Sequence, residues 1–251
     1  MELVSVIIAA YNCRDTILSA IHSALSQTYQ NIEVIVCDDS STDDTWSIIK
    51  KIKDPRVICT TNIYNKGAAG ARNSALKIAN GSYVAFLDSD DYWTPSKIEK
   101  QISFMEKENV SFSYSNYYIV KKENISGIFL SPSSITYNDM LKCCNIACST
   151  VIIDKRKHCD VTFPYIAKED YALWLRLLSS GANALNTNYI DSYYRVHDKS
   201  VSANKLKEFK RQDNVLKFIG IKNPKRIFYL FYYAVNGLIK HHLYYKRKKN
   251  A

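Results

Sequence analysis

Residues 82–93, SYVAFLDSDDYW, constrain the chain more than any other stretch. From Tyr83 to Leu87 the residues are apolar and rich in strand formers, with Gly81 in front, which predicts a short buried strand. The run ends in Asp88, Ser89, Asp90 and Asp91. Alternate residues of an extended chain face one side, so Asp88 and Asp90 are expected together at the strand's carboxyl end. Open α/β sheets bind their ligands at that edge. Three neighbouring carboxylates repel one another, and a hard divalent cation bridging to a diphosphate would offset the repulsion. A solvated acidic turn before a helix, with Pro95 in the first turn, is the plainer alternative.

The chain before this stretch alternates strand and helix. Residues 3–10 (LVSVIIAA) and 32–37 read as strands buried on both faces, and 57–61 as a weaker third. Helical spacing covers 15–27, 42–52 and 67–79, with Gly81 expected as the C-terminal cap of the last. This alternation predicts an α/β fold with a doubly wound, mostly parallel sheet flanked by helices. Further helices are expected at 95–108, 169–179 and 204–220, and strands at 110–120, 128–130, 148–153 and 189–196. No linker or repeat interrupts residues 1–203, which read as one fused domain with a nucleotide half (1–110) and an acceptor half (111–203). Residues 204–251 form a basic, aromatic, helical C-terminal extension.

The net charge of +10 points to a polyanionic partner: nucleic acid, an acidic membrane face or a phosphorylated substrate. The charge is concentrated in the tail. From Pro224 to Lys249 an apolar, aromatic run is flanked by Lys222, Lys225 and Arg226 on one side. Lys240, Lys246, Arg247, Lys248 and Lys249 flank the other. Such a segment suits the plane of an anionic membrane surface; a terminal helix packed on the domain is the alternative. No apolar run reaches the roughly 20 residues needed to span a bilayer. No nucleic-acid-binding motif is present, so no nucleic-acid partner is expected, although +10 keeps a basic nucleic-acid binder as an alternative. The seven cysteines are odd in number and irregular in spacing, and the N-terminus runs straight into a strand pattern; a reducing cytosol is the expected context.

Two strand ends carry acid, Asp38-Asp39 and Asp88 to Asp91, and in a parallel sheet both lie on one edge. A carboxylate there can accept hydrogen bonds from a nucleobase imide or from ribose hydroxyls. The loop Ala10-Tyr11-Asn12 is expected beside them. The stretch 65–73 (NKGAAGARN) lacks the dinucleotide spacing, but its small residues allow close approach and Arg72 is placed to reach a phosphate. Trp93 and Trp174 suit either sugar stacking or the core. An apolar strand ending in D-x-D also occurs in haloacid-type phosphatases, where Thr or Val usually follows on an early strand. Here Asp91 and Tyr92 follow, on the fourth.

Five segments stand in order: SVIIAAYN (5–12), VCDDSSTD (36–43), NKGAAGARN (65–73), FLDSDD (86–91) and KEDYALWLRL (168–177). Through them, residues 3–202 resemble the family-two inverting glycosyltransferases with a GT-A, Rossmann-like fold. The resemblance implies that Ala10, Tyr11, Asn12, Asp38, Asp39, Asn65, Gly67, Arg72, Asp88 and Ser89 bind a nucleotide sugar, with Asp39 on the uracil. It implies that Asp90 holds Mn²⁺ or Mg²⁺ on the diphosphate, helped by Asp88 and His197, and that Asp170, paired with Glu169, is the general base. It also implies a UDP-hexose donor, glucose or galactose, and a polyprenyl-diphosphate-linked sugar acceptor. Small relatives extend N-acetylglucosamine on undecaprenyl diphosphate by a β1,3 bond during O-antigen and other surface polysaccharide assembly. That implies a peripheral enzyme on the cytoplasmic face of a bacterial inner membrane.

Overall fold

The computed structural model describes residues 1–158, 160–196, 205–243 and 245–247. Its first half is built on β1 (Val4–Ala10), α1 (Ile17–Leu25), β2 (Ile32–Asp38), α2 (Thr45–Ile49), β3 (Val57–Thr61), α3 (Ala68–Ile78) and β4 (Tyr83–Phe86). β1 pairs in parallel with β2 on one side and β4 on the other, and β3 extends the sheet beyond β2. The alternation of β1 decides its packing. Val4, Val6, Ile8 and Ala10 meet Ile17, Ala20, Ile21 and Ala24 of α1, whereas Ile7 faces the opposite layer with Ala71 and Ala75 of α3. The chain reverses direction across the sheet between β2 and β4, and β1 lies at that switch, where open sheets bind ligands.

The second half departs from a mostly parallel sheet. It comprises β5 (Tyr92–Trp93), α4 (Lys97–Lys107), β6 (Phe112–Lys121), β7 (Asn124–Phe129), β8 (Ser134–Ile135), α5 (Tyr137–Lys142), β9 (Ile152–Asp154), α6 (Glu169–Ser179) and β10 (Ala184–Arg195). β9 runs antiparallel to both β4 and β6, and β6 and β7 form an antiparallel hairpin. The sheet is therefore mixed. The physical reason is local: Lys122 and Glu123 both adopt positive φ, at 49° and 60°, a turn that folds the chain straight back without a crossover helix. β10 pairs in parallel with β6 and antiparallel with β5 and β8.

Three further expectations change. Of residues 148–153, Cys148–Thr150 form a single 3₁₀ turn and only the end is strand. The Thr150 hydroxyl bonds back to the Ala147 carbonyl at 2.7 Å, competing with the ladder. Trp93 and Trp174 are core residues, 4% and 0% exposed, which removes them from sugar stacking. The indole of Trp174 packs among Phe86, Phe112 and Phe163 with centroids 5.3–6.2 Å apart. Gly81 is not a left-handed cap, since α3 ends at an extended Ala79. Its amide instead donates to Ser5 Oγ at 2.8 Å and Glu33 Oε1 at 3.2 Å, as the chain passes against β1.

The C-terminal region continues as α7 (Lys205–Phe218), α8 (Lys225–Leu243) and β11 (Tyr245–Arg247), which pairs with β7. α7 buries Val215 and Leu216 in the core shared with α3 and α6. Among the described residues, no helix is long and apolar enough to cross a membrane. Lys248 and Lys249 lie outside the described residues.

A Cβ at Gly81 would sit 2.6 Å from the Ser5 backbone nitrogen and 2.8 Å from the Leu3 carbonyl oxygen. Gly81→Ala is therefore expected to destabilise the fold by about 1–3 kcal/mol, as overpacking does. Urea unfolding checks this; an unchanged midpoint would remove the close-approach explanation.

Candidate active site

Four segments line one cleft of about 440 Å³: the end of β1 (Ala9, Ala10, Tyr11), Asp39 after β2, the start of α3 (Lys66, Gly67, Ala68, Ala71, Arg72) and the turn after β4 (Asp88, Ser89, Asp90). Each enters for a local reason. Gly67, at φ 124° and ψ 167°, precedes α3 in a conformation that suits glycine, and its amide donates to Asp39 Oδ2 at 2.7 Å. Asn62 Nδ2 donates to Asp39 Oδ1 at 2.6 Å. Gly70 is equally constrained, because a Cβ there would lie 1.9 Å from the Asn65 carbonyl oxygen. The Asn65 segment thus rests directly on α3, and the amino end of a helix faces the cleft, where an anion is favoured. Lys66 adds a cation, its Nζ 4.7 Å from the centre of the Tyr11 ring.

The acidic pairs divide their work. Asp38 lies behind the cleft and accepts from both the amide and the hydroxyl of Ser41, at 3.0 and 2.5 Å, closing the loop after β2. Asn12 does the same from the β1 side: its Oδ1 accepts from Thr42 N at 2.8 Å while its own amide donates to Ser41 Oγ. After β4 the extended chain expected for Asp88 and Asp90 is instead a turn, in which the Asp91 amide donates to the Asp88 carbonyl at 3.0 Å. Asp88 and Asp90 both line the cleft, whereas Asp91 is 1% exposed and anchors the turn from beneath. Ser149 Oγ donates to Asp91 Oδ2 at 2.6 Å and accepts from the Asp88 amide at 3.1 Å. The Arg195 amide donates to Asp91 Oδ1 and its guanidinium to the Asp90 carbonyl, at 2.9 and 2.8 Å. Burial, with Asp88 and Asp90 alongside, pushes the Asp91 carboxyl well above the usual range. Ser149 carries no sequence signal for this role, because its partners lie about 60 residues away.

Arg72 lines the same cleft with its charge already shared between two carboxylates. Its guanidinium is 8% exposed and donates to Asp88 Oδ1 and Glu169 Oε1, both at 2.6 Å. The Phe163 ring lies 5.1 Å from its carbon. The arginine thereby ties α3 to the acidic turn and to the start of α6. A second, smaller cleft of about 250 Å³ opens on the far side of Asp88, between Asp170, Tyr117, Asn145, Cys144 and Tyr194. Asp88 lines both clefts, so they meet at its carboxylate. Desolvation by burial, then the neighbouring Glu169, raises the Asp170 carboxyl to about 6, against the pull of Arg72. Burial holds the Cys148 thiol, in the same cleft, well above its ordinary value, so it is no nucleophile at neutral pH.

Asp88 and Asp90 fit a divalent cation of the Mg²⁺ or Mn²⁺ kind by their chemistry. Such hard ions take oxygen ligands, and where substrate phosphates supply several, one or two protein carboxylates suffice. Among the described residues no cluster of three or more His, Cys, Asp or Glu could hold a metal unaided. His197 lies outside the described residues.

Residues 5–144 match the model of glycosyl transferase family 2. The chain belongs to that family. It is 67% identical over 251 residues, all of both chains, to the Escherichia coli UDP-Glc:alpha-D-GlcNAc-diphosphoundecaprenol beta-1,3-glucosyltransferase WfaP. It is 48% identical over 249 residues, 98% of each chain, to WfgD of the same organism, which bears the same description. Among solved structures it matches S. aureus TarS 1–349 in complex with UDP-GlcNAc, with a TM-score of 0.71 at 20% identity, covering 96% of this chain and 72% of that one. It also matches the mannosyltransferase PcManGT from Pyrobaculum calidifontis in complex with GDP-Man and Mn²⁺, with a TM-score of 0.67 at 18% identity, covering 94% and 70%. These two likenesses speak to the fold of this glycosyltransferase.

A base works as its carboxylate. If Asp170 is the base that the family resemblance implies, a carboxyl near 6 means that transfer falls below about pH 6 with a slope of one. A pH profile of kcat/KM for the acceptor checks this. An acidic limb only below pH 4 would point to an unperturbed carboxylate instead.

Proposed function

We propose that this glycosyltransferase moves glucose from UDP-glucose to the N-acetylglucosamine of an undecaprenyl-diphosphate-linked acceptor, forming a β1,3 bond. The observation that carries this reading is the full-length 67% identity to WfaP. The two clefts support it: the larger takes the nucleotide sugar, the smaller takes the acceptor, and they meet at Asp88. In the larger cleft Tyr11 and Asp39 receive the uracil, and the α3 amino end with Lys66 faces the diphosphate. Asp88 and Asp90 would hold a divalent cation, which would supply charge stabilisation for the departing diphosphate.

The reaction is a single displacement. Asp170 accepts the proton of the acceptor hydroxyl as its oxygen bonds to the anomeric carbon, and the bond from that carbon to the UDP oxygen breaks. Attack opposite the leaving group turns an α-linked donor into a β-linked product. Arg72 occupies Glu169, which leaves Asp170 to receive the proton. Membership of glycosyl transferase family 2 leaves the phosphatase and nucleic-acid readings unsupported.

The enzyme works peripherally at the cytoplasmic face of the inner membrane, where its lipid-linked acceptor resides. α8 supports this placement. Ile227, Phe228 and Phe231 are 62%, 52% and 66% exposed on one face, next to exposed Lys222 and Lys225. An apolar face rimmed by cations suits an anionic lipid surface.

Transfer of labelled glucose from UDP-glucose to a synthetic GlcNAc-diphosphate-lipid tests the reading. Asp170→Asn is expected to lower kcat by about 10²–10⁴-fold, the usual worth of a general base. EDTA or Asp90→Ala should abolish turnover. Full turnover in either variant would remove its assigned role, and preference for another donor would overturn the substrate. Phe231→Glu is expected to weaken co-sedimentation with anionic vesicles about 10–100-fold, since burying one aromatic ring contributes about 1.5–3 kcal/mol. Unchanged binding would displace the membrane contact from α8.

A further inference from the structure

Asp170 begins a helix whose entry is strained. Lys168, the residue before the Glu169-Asp170 pair, sits at φ 62° and ψ 49° in the left-handed region, where a side-chain-bearing residue needs outside support. The support comes from the C-terminal helices. Lys168 Nζ lies 3.2 Å from Glu208 Oε2 and 3.5 Å from Gln212 Oε1 on α7, and 2.9 Å from the Tyr233 hydroxyl on α8. Around this ammonium, Arg211 pairs with Glu208 at 2.6 Å, and Gln212 Nε2 donates to the Tyr171 hydroxyl at 2.8 Å. Burial works against the charge of Lys168, but Tyr233 and Glu208 outweigh it and hold the ammonium above its ordinary value.

We propose that Lys168 is a positioning residue: its ammonium, latched between α7 and α8, fixes the left-handed entry to α6 and so sets where the Asp170 carboxylate stands against the acceptor. The inference rests on the role proposed above for Asp170. The latch adds a polar tie between the entry to α6 and two helices that Val215, Leu216, Tyr229 and Leu230 already pack onto the domain. It acts through backbone geometry, and a misplacement of about 1 Å at a reacting group can cost 10²-fold.

The test uses the full chain with Lys168→Gly, Lys168→Arg and Tyr233→Phe. Glycine adopts the left-handed conformation freely, so Lys168→Gly removes the ammonium without adding strain. Lys168→Gly is expected to lower kcat about 10–100-fold, with KM for UDP-glucose within about twofold. Lys168→Arg should recover most of the rate. Tyr233→Phe should cost less, and the Lys168→Gly/Tyr233→Phe double variant no more than Lys168→Gly alone, because both act through one contact. Wild-type kcat in Lys168→Gly, or losses that multiply in the double variant, would overturn the latch. Amide hydrogen exchange over residues 165–174 gives a second readout that needs no acceptor. Exchange should quicken in Lys168→Gly and Tyr233→Phe, and rates equal to wild type in both would overturn the proposal. An inactive wild type with normal exchange behaviour would instead count against the substrate reading.

Discussion

The Arg72 guanidinium between Asp88 and Glu169 is the interaction on which the catalytic half of the molecule depends. It joins three elements that the chain visits far apart, Arg72 and Glu169 being 97 positions from each other. Burying a cation this deeply is favourable only with the partners complete, and removing one leaves an uncompensated charge. The clamp also sets the electrostatics. Around one guanidinium stand Asp88, Glu169 and Asp170, so the meeting point of the two clefts is acidic although the chain as a whole carries +10. Burial first, and then the neighbouring Glu169, raises the Asp170 carboxyl there.

Acidic pairs at the strand ends look redundant in the sequence and are not. One aspartate of each group is held in hydrogen bonds behind the turn, while another lines the cleft. After β2 the inner member is Asp38, bonded to Ser41, and the outer is Asp39. After β4 the inner member is Asp91, bonded to Ser149 and to the Arg195 amide, and the outer are Asp88 and Asp90. The loss of extended geometry after Phe86 goes with this division. A turn closed by the Asp91 amide sends Asp91 inward and keeps Asp88 and Asp90 on the open side.

What could be read beforehand was local. Apolar runs place β1, β2 and β3 within a residue or two, and the acidic strand ends sit where a parallel sheet puts them. Asp39, the start of α3, Asp88 and Asp90 share one cleft, and Asp88 and Asp170 share the other. What escaped depends on distant partners. Nothing near Arg72 says that its nitrogens are taken by two carboxylates, nothing near Ser149 says that it supports the acidic turn, and nothing near Gly81 distinguishes a cap from a crossing over β1. The antiparallel second half escaped for a different reason. The helix and strand spacing that predicts parallel crossovers early in the chain gives way to a hairpin whose turn residues, Lys122 and Glu123, are not the usual glycine or asparagine.

The last link is the orientation of α8. Three or four residues make a helical turn, so Ile227, Phe228 and Phe231 share one side and Tyr229, Leu230 and Tyr233 the other. The first set is exposed; Tyr229 and Leu230 pack on the core, and Tyr233 reaches Lys168. A helix lying on a lipid surface by one face while holding the entry to α6 by the other would put the base at a set height above the membrane. A polyprenyl diphosphate offers its sugar hydroxyl only a short way from the headgroups. On the proposed reading, the same helix that finds the membrane therefore also fixes the distance at which the chemistry takes place.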